Sequence, residues 1–233
     1  PKAIDYLEQS LKIDQEIKDR NGEGNTLNNL GLTYYKIGNL QLAESTLFKS
    51  MKVKESLRGG LTDNNKITIL DTQSNTYRTL QQVLIAQNKT DAALEIAERG
   101  RARAFVELLA SKLSSNPNEQ LSTPPNINQI KQIAKSQNAT LVQYSIITDE
   151  FKVEGELQTK ESELYIWIVK PTGEIAFKQV DLKNINKSLE ELVISARDSI
   201  GVRGSNMFDV VVVAPSKEDP TQKLQQLHKL LIA

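Results

Sequence analysis

A 40-residue internal repeat is the feature that most constrains how this chain can fold. The segments AIDYLEQSLKI (3–13) and AESTLFKSMKV (43–53) align without a gap, because 43 − 3 = 40. Leu7 of the first segment thus matches Leu47 of the second, and small or apolar residues recur at i, i+4, i+7 and i+8. This spacing places them on one face of a helix. Each segment therefore predicts an amphipathic helix.

A further helix is predicted directly before the second segment. The stretch LNNLGLTYYKIGN (27–39) carries apolar residues at helical spacing and ends in Gly38-Asn39, which is a typical stop signal for a helix. Two antiparallel helices joined by a short turn are therefore expected. The small residues Gly31 and Ala43 would let the two backbones approach closely.

A third, degenerate unit follows in YRTLQQVLIAQNKTDAALEIAERG (77–100). Gln81 takes the place of the small glycine of the preceding unit, and Asn88 takes the place of its turn glycine. This unit lies 50 residues after the preceding one (93 − 43 = 50), so about ten extra residues fall within residues 57–73. We expect these residues to form a longer loop and a longer first helix.

The repeated pattern resembles the tetratricopeptide repeat over residues 1–110, with about two and a half units. The resemblance is carried by Leu27, Leu30, Gly31, Tyr34, Gly38, Ala43, Leu47 and Ser50, with Ser50 standing where alanine is usual. Helix pairs of this kind bury their apolar faces only against neighbouring pairs, so about three units are typically needed for stability. We therefore expect that the chain is cut from a longer one.

The resemblance also implies where a partner would bind. In such arrays a protein or peptide ligand lies on the concave surface, which is lined by exposed residues of each unit's first helix. By motif position, the candidate partner-binding residues are Asn25, Asn28, Lys36, Arg78 and Gln82. An ordinary solvated surface remains the alternative for each of them, and the oligomeric state is left open.

The sequence pattern changes after the repeats. The stretch SKLSSNPNEQLSTPPN (111–126) is rich in Ser, Asn and Pro and predicts a linker between two domains. Residues 127–233 then alternate between strand-like and helix-like segments. We expect a short helix, a strand, a polar spacer with little packing potential, a hairpin, a helix, a buried strand and a final helix. In order, these segments cover 127–137, 139–148, 151–162, 163–182, 184–200, 208–216 and 219–233.

Four stretches have residue patterns that are similar to those of one known module. They are AERGRARAFVELLA (97–110), LVQYSII (141–147), LYIWIVKPTGEIAFKQVDL (164–182) and LQQLHKLLIA (224–233). Together they resemble the start of the CHAT domain, a caspase-like module commonly fused to tetratricopeptide arrays. The resemblance implies a helical-hairpin solenoid followed by a partial α/β layer. It also implies a catalytic histidine after a core strand and a cysteine after a later strand, and neither has a match here.

No catalytic or metal-binding group is expected within these residues. The chain has no cysteine and a single histidine, His228, which lies within a predicted helix beside a row of leucines. A cysteine nucleophile is therefore excluded, and a lone histidine cannot hold a metal without clustered partners. We expect no enzymatic activity from the chain as given, no cofactor and no metal.

Net charge and hydropathy limit the classes of partner that this chain is expected to bind. The formal net charge is zero, so bulk electrostatics favour neither nucleic acid nor an anionic membrane. No apolar run approaches the ~20 residues that span a bilayer. The one basic cluster, RGRAR (99–103), has Glu95, Glu98 and Glu107 at helical spacing around it and is expected to be compensated by them. A cytoplasmic protein is the default expectation.

Three hypotheses for function follow. The first is a protein-interaction scaffold attached to the non-catalytic opening half of a caspase-like cysteine peptidase domain, in which partner binding regulates the peptidase. The second is an adaptor whose α/β half never had catalytic groups. The third and least favoured is a nucleic-acid-binding repeat protein that uses the arginine cluster of residues 99–103.

Overall fold

The structure, a computed structural model, describes six ranges of the chain, which divide between two compact units. The described ranges are 2–57, 63–101, 125–153, 156–185, 187–199 and 220–231. One unit comprises Pro1–Leu141 with Ile168–Ala176, and the other comprises Val142–Trp167 with Phe177–Ala233. The first unit contains the helices of the repeats, and the second contains most of the sheet.

Five helices follow one another in the part of the repeat region that the structure describes. They are α1 (Lys2–Glu16), α2 (Arg20–Lys36), α3 (Leu40–Ser56), α4 (Asp63–Ala86) and α5 (Thr90–Arg101). Each of these helices packs against the next one along the chain. This arrangement confirms the predicted helical hairpins. The longer first helix expected in the third unit is confirmed as well, since α4 has 24 residues where α2 has 17.

Three turns between successive helices share one backbone conformation. Lys18, Gly38 and Asn88 all have positive φ angles, of 59°, 80° and 59°. In each turn the following N–H donates to a carbonyl five residues earlier, as Asn39 N does to Tyr34 O at 2.9 Å. These are the hydrogen bonds of a Schellman motif, which satisfies the last carbonyls of a helix. The stop predicted at Gly38 is confirmed. Asn88 forms the same stop without glycine in the next repeat unit, and Lys18 forms it between α1 and α2, which belong to successive repeat units.

Small residues set the distance between the paired helices. A Cβ atom at Gly31 would lie 2.6 Å from Cγ of Leu47, so α2 and α3 pack at a separation that only glycine permits. The close approach predicted at this position is therefore confirmed. In the next unit, Gln81 stands in the place of Gly31 and Ala97 in the place of Leu47, since both numbers differ by 50. In this unit the large side chain, Gln81, is therefore on the first helix, and the small one, Ala97, is on the second.

Helix α6 (Ile127–Ser136) packs on α5, within the same unit as the repeats. Its capping box is formed by Asn126 and Gln129, whose side chains accept hydrogen bonds from each other's backbone N–H groups. The carboxylate of Glu95 on α5 accepts a hydrogen bond from the backbone N–H of Ile127 at 2.6 Å. Lys131 also forms an ion pair with Asp91 at 3.6 Å. Polar contacts therefore hold α6 at the end of the helical series.

Most of the predicted linker lies outside the described residues. Of residues 111–126 the structure describes only 125 and 126. The boundaries expected from the sequence, 1–110, 111–126 and 127–233, therefore stay predictions. The predicted buried strand at 208–216 lies outside the described residues, and so do residues 58–62 of the insertion predicted within residues 57–73.

Within the described residues the sheet has three strands in the order β1-β2-β3, which is also their order along the chain. The strands are β1 (Leu141–Val153), β2 (Glu156–Val169) and β3 (Ile175–Asp181). The expectation of a polar spacer at 151–162 is wrong, because β1 extends to Val153 and β2 begins at Glu156. Exposed polar side chains are compatible with a strand whose backbone groups pair with a neighbour, and the composition alone did not show this.

The core of the sheet lies along its central strand. Tyr165 and Trp167 on β2 are almost fully buried, and Phe177 on β3 packs between them. The ring centroids of Trp167 and Phe177 are 5.2 Å apart. Leu164 and Ile166 are buried too, so both faces of β2 are covered. Trp167 therefore belongs to the core of the sheet.

A tight turn joins β2 to β3, as the sequence predicts. The N–H of Gly173 donates to the carbonyl of Lys170 at 2.9 Å, and Pro171 takes the first central position. Gly173 has a φ of 86°, a conformation that side-chain-bearing residues rarely adopt. The turn therefore starts at Lys170, with Pro171 and Thr172 at its two central positions.

Two helices complete the second unit. These are α7 (Leu189–Ser199) and α8 (Pro220–Leu231), and they pack against each other. Ser188 and Glu191 form a capping box at the start of α7, with reciprocal bonds of 3.1 and 2.9 Å. The row of leucines predicted to be buried on α8 is only half-buried, and Leu224 is 40% exposed. None of the helices that the structure describes combines the length and apolarity needed to cross a membrane.

Candidate partner-binding face

The first helices of two successive units, α2 and α4, lie side by side and are joined by a chain of hydrogen bonds. The hydroxyl of Thr76 on α4 donates to Oδ1 of Asn28 on α2 at 2.8 Å. Nζ of Lys54 on α3 donates to the same hydroxyl at 3.2 Å. One threonine thus connects three helices. The candidate residue Asn28 belongs to this connection.

Lys54 lies deep between these helices. Its side chain is buried, and burial lowers its pKa from the ordinary 10.5 to about 8 because a charged amine loses its hydration there. The stem of the side chain passes close to α2, since a Cβ at Gly24 would lie 2.9 Å from Cγ of Lys54. The lysine thus fixes the spacing of the helices with both its stem and its amine.

The five candidate residues lie on two adjacent helices. Asn25 and Lys36 are exposed, while Asn28, Arg78 and Gln82 are half-buried. We call this set the first-helix face. Asn25 and Lys36 are separated by three helical turns and therefore share one side of α2. The Thr76–Asn28 bond brings the two helices together at the middle of the face.

Arg78 is held in place by a neighbour on its own helix. Its Nη1 donates to Oδ1 of Asn75 at 3.3 Å. Asn75 precedes it by three residues, so the two side chains are neighbours on the helix surface. The guanidinium is therefore already oriented before any partner arrives.

An ion pair that the sequence did not predict joins α3, α4 and α5. Arg99 donates two hydrogen bonds to the carboxylate of Glu55, at 2.7 and 2.6 Å, and Tyr77 donates to the same group at 2.7 Å. The hydrogen bonds to Glu55 raise the pKa of Arg99. The first arginine of the basic cluster 99–103 is thus paired across helices rather than along its own helix.

The sequence did not predict the roles of Thr76 and Lys54, because these roles depend on contacts between repeat units. A signal was present in the sequence, however. Thr26 occupies the position in α2 that Thr76 occupies in α4, and its hydroxyl donates to Oδ2 of Asp14 at 2.7 Å. Asp14 in turn matches Lys54 at the 40-residue spacing. A polar residue of the second helix bonded to a threonine of the next first helix is therefore a repeated contact.

The remaining residue considered for chemistry is His228. It is exposed on α8. Among the residues that the structure describes, no three histidine, aspartate or glutamate side chains converge in a way that could hold a metal ion.

Comparison with known proteins gives a similarity for the first two repeat segments. Residues 1–56 match the family model of the tetratricopeptide repeat. The chain is similar to tetratricopeptide repeat protein 28 of Mus musculus, with 27% identity over 206 residues, which is 78% of this chain and 8% of the relative. The protein of the same name from Homo sapiens is 32% identical over 129 residues, which is 54% of this chain and 5% of the relative.

The family model matches only part of the chain, and the chain matches only a small part of each relative. The chain spans less than a tenth of the length of these two relatives. No solved structure matches it. The family match ends at residue 56 and does not extend to the sheet, so the resemblance of the second half to a CHAT domain stays a prediction. The comparisons therefore show similarity to tetratricopeptide repeats, and the family model matches residues 1–56.

Proposed function

We propose that this chain is a protein–protein interaction scaffold in which the first-helix face holds a peptide or a protein segment. The observation that carries the proposal is the direct bond between α2 and α4 through Thr76 and Asn28. Tetratricopeptide repeats are interaction modules, and their ligands lie along the first helices. A face that spans two such helices at fixed spacing is suited to an extended ligand.

The chemistry of the face supports polar recognition. Asn28 uses its carbonyl oxygen to accept from Thr76, so its side-chain N–H groups are the part suited to a ligand. Lys36 provides an exposed cation at one end of the face, and Gln82 provides an amide group on α4. Amide groups can bond to both the N–H and the C=O groups of a peptide backbone. The helices are already connected by Lys54, so binding need not order them.

The proposal is tested with selected peptides. A displayed library of random peptides is selected on the whole chain, and the affinity of a selected peptide is measured by fluorescence anisotropy. We expect Asn25→Ala combined with Lys36→Ala and Gln82→Ala to weaken binding by about 100-fold, because each lost contact is worth about 1 kcal/mol. These positions avoid the Lys54 connection, so the fold is expected to remain intact.

A matched control is available on another helix. Lys49 and Lys52 are exposed cations on α3, away from the first-helix face. Lys49→Ala with Lys52→Ala should leave the affinity within a factor of two. Equal loss in both sets of variants, or a library that yields no peptide, would count against the first-helix face as the binding site.

For the second half we propose the non-catalytic opening part of a caspase-like α/β domain. The order of the described elements supports this, because a hairpin of β2 and β3 is followed by helix α7, as the resemblance implies. The absence of cysteine from the sequence supports a chain without peptidase activity of its own. In a polypeptide that includes both parts, binding at the first-helix face would regulate the catalytic part.

The gene sequence that follows the codon for Ala233 tests this second proposal. A strand followed by His-Gly, and then a strand that ends in cysteine, is the expected result for a caspase-like peptidase. A sequence without these groups would favour an adaptor with an inert α/β half. The least favoured alternative, nucleic-acid binding, has lost support at Arg99, since this side chain is paired with Glu55.

A further inference from the structure

We propose that the segment held by the first-helix face is acidic, and that Lys54 sets this preference by fixing the orientation of the Asn28 side-chain amide. Lys54 is then a positioning residue, which acts on the ligand through Thr76 and Asn28. The preference rests on the proposed function, because it concerns the ligand of the same face. Two hydrogen bonds that connect these three residues carry it.

The amine of Lys54 determines the direction of both hydrogen bonds. A charged amine donates hydrogen bonds and accepts none, and with a pKa of about 8 this amine is mostly charged at pH 7. Its Nζ lies 3.2 Å from the hydroxyl oxygen of Thr76, which is therefore the acceptor. The hydroxyl group in turn donates its proton to Oδ1 of Asn28 at 2.8 Å. The carbonyl end of the Asn28 amide is thus directed toward Thr76.

The nitrogen of the Asn28 amide is the end that remains for a ligand. Within the described residues, the bond from Thr76 is the one hydrogen bond of this side chain. In the same part of the chain, Oε1 of Gln81 is the single buried side-chain polar atom without a partner, so Nδ2 of Asn28 is accessible to solvent. The side chain therefore presents two N–H donors at the middle of the face.

Two cations accompany these donors. Lys36 is exposed on α2, and Arg78 has on α4 the position that Asn28 has on α2, because 78 − 28 = 50. Nη1 of Arg78 bonds to Oδ1 of Asn75 at 3.3 Å, so the guanidinium is oriented before a ligand binds. Hydrogen bonds from such groups are strongest when the acceptor is ionised. This combination favours a ligand that is negatively charged.

In the described part of the two first helices, the middle of the face carries no exposed carboxylate. The acidic residue of α2, Glu23, is buried and forms an ion pair with Arg20. Residues 74–86 of α4 contain no acid, and Asp63 and Asp71 belong to the first nine residues of that helix. An anionic segment can therefore lie across the middle of the face without meeting a like charge there.

Carboxylate groups of a peptide match this face better than the phosphates of a nucleic acid. Nucleic-acid affinity comes mainly from cations that neutralise several phosphates. Of the five residues of the face, Lys36 and Arg78 are cationic and the other three are amides. Amides also bond to the peptide backbone between acidic side chains. The ligand is therefore a peptide segment that contains Asp or Glu residues.

The composition of selected peptides gives the first test. Random peptides are selected on the whole chain at pH 7, and Asp and Glu should be enriched among those that do not bind the triple variant Asn25→Ala, Lys36→Ala, Gln82→Ala. An amidated copy of the best peptide, with two carboxylates changed by Glu→Gln or Asp→Asn, should bind about 100-fold more weakly by fluorescence anisotropy, because each charged hydrogen bond contributes about tenfold.

The outcomes separate this preference from the proposed function. Peptides that bind at the face without enrichment of Asp and Glu overturn the preference and leave the proposed function in place. An amidated copy that binds as well as the original has the same meaning. A library that yields no peptide overturns both.

Asn28→Asp reverses the outward end of the side chain. One carboxylate oxygen can still accept from Thr76, whereas the other replaces the N–H donors. We expect the affinity for the acidic peptide to fall by at least about tenfold, and the affinity for its amidated copy to change by no more than about twofold. Thermal unfolding of the variant checks that the fold is retained.

The matched control is Gln41→Glu, which adds the same charge at an exposed position of α3. It should change both affinities by no more than about twofold. Equal losses in Asn28→Asp and Gln41→Glu, or no loss in Asn28→Asp, overturn the proposal.

Lys54→Met tests the positioning role. Without the amine, the hydroxyl of Thr76 can accept from Asn28, so the amide is no longer held with its nitrogen toward the ligand. We expect the ratio of the affinities for the acidic peptide and its amidated copy to fall by about tenfold. A loss of packing alone would lower both affinities together. An unchanged ratio would therefore overturn the role of Lys54.

Competition with a nucleic acid separates the two classes of ligand. A single-stranded oligonucleotide at the same concentration as the acidic peptide should not displace it, because the face has too few cations for several phosphates. Displacement would overturn the acidic peptide as the ligand and would assign the face to a nucleic acid.

Discussion

Helices α1 and α3 have the same sequence pattern but different surroundings. Leu47 is fully buried in α3, while its counterpart Leu7 in α1 is only half-buried. The pattern alone specifies a helix with one apolar face. How much of that face is buried, and how much stability it provides, depends on the neighbouring helices. The comparison teaches that equivalent repeat positions need not be energetically equivalent.

The largest expected difference comes from equivalent leucines. Leu47→Ala should lower the free energy of unfolding by about 3 kcal/mol, because it leaves a cavity between α2 and α3. Leu7→Ala should cost only about 1 kcal/mol, since solvent already reaches part of this side chain. Urea denaturation of the two variants measures both values. Equal losses would mean that α1 is as well packed as α3.

The next effect concerns the small residue between paired helices. Gly31→Gln should destabilise the chain by about 2 kcal/mol, because the new side chain would collide with Leu47. Combining it with Leu47→Ala recreates the arrangement of Gln81 and Ala97 in the next unit. We expect the double variant to lose clearly less than the sum of the single losses. A strictly additive result in a double-mutant cycle would show that the two arrangements are not interchangeable.

A smaller, pH-dependent effect is expected at Lys54. Its pKa is about 8 in the folded protein and near 10.5 when unfolded, so the unfolded chain binds more protons between these values. The free energy of unfolding should therefore rise with pH across this window, by an amount on the order of 1 kcal/mol. Lys54→Met should lack this rise. Urea denaturation of both proteins at pH 7 and pH 10 gives the comparison, and parallel pH profiles would exclude a desolvated amine.

The smallest effect is expected in the turns. Lys18→Gly should gain about 0.5 kcal/mol, because glycine adopts the positive φ without strain. Gly38→Lys should lose about 1 kcal/mol for the same reason, as no atom lies within 4 Å of a Cβ at this position. Thermal unfolding resolves both changes. A neutral result at both sites would indicate that the Schellman hydrogen bonds, and not the φ angle, determine the stability of these turns.

The repeat region could be predicted well from the sequence because its signals are local. The spacing of apolar residues predicted the helices, and Gly38 predicted a turn that the structure confirms. Asn88 was correctly assigned to the same kind of turn by its position in the repeat. The close approach at Gly31 could also be inferred, since a glycine within a strong helical pattern usually has a packing reason.

Contacts that join units were much harder to predict. The Glu55–Arg99 ion pair spans 44 residues, and no local pattern fixes which acidic residue Arg99 selects. For the same reason the Lys54–Thr76 bond was missed. The strands at 151–162 were missed because their side chains are polar, and cross-strand backbone pairing has no signature in composition. The exposure of Leu224 depends on which neighbours α8 has, which spacing alone does not show.

Native-state hydrogen exchange of the unmodified chain tests the central claim most directly. If burial by α2 distinguishes α3 from α1, amides of α3 should exchange only through global unfolding, and their exchange should speed up with urea. Amides of α1 should exchange at least about 100-fold faster and with little dependence on urea, through local opening. Equal protection of α1 and α3, with the same dependence on urea, would contradict the claim.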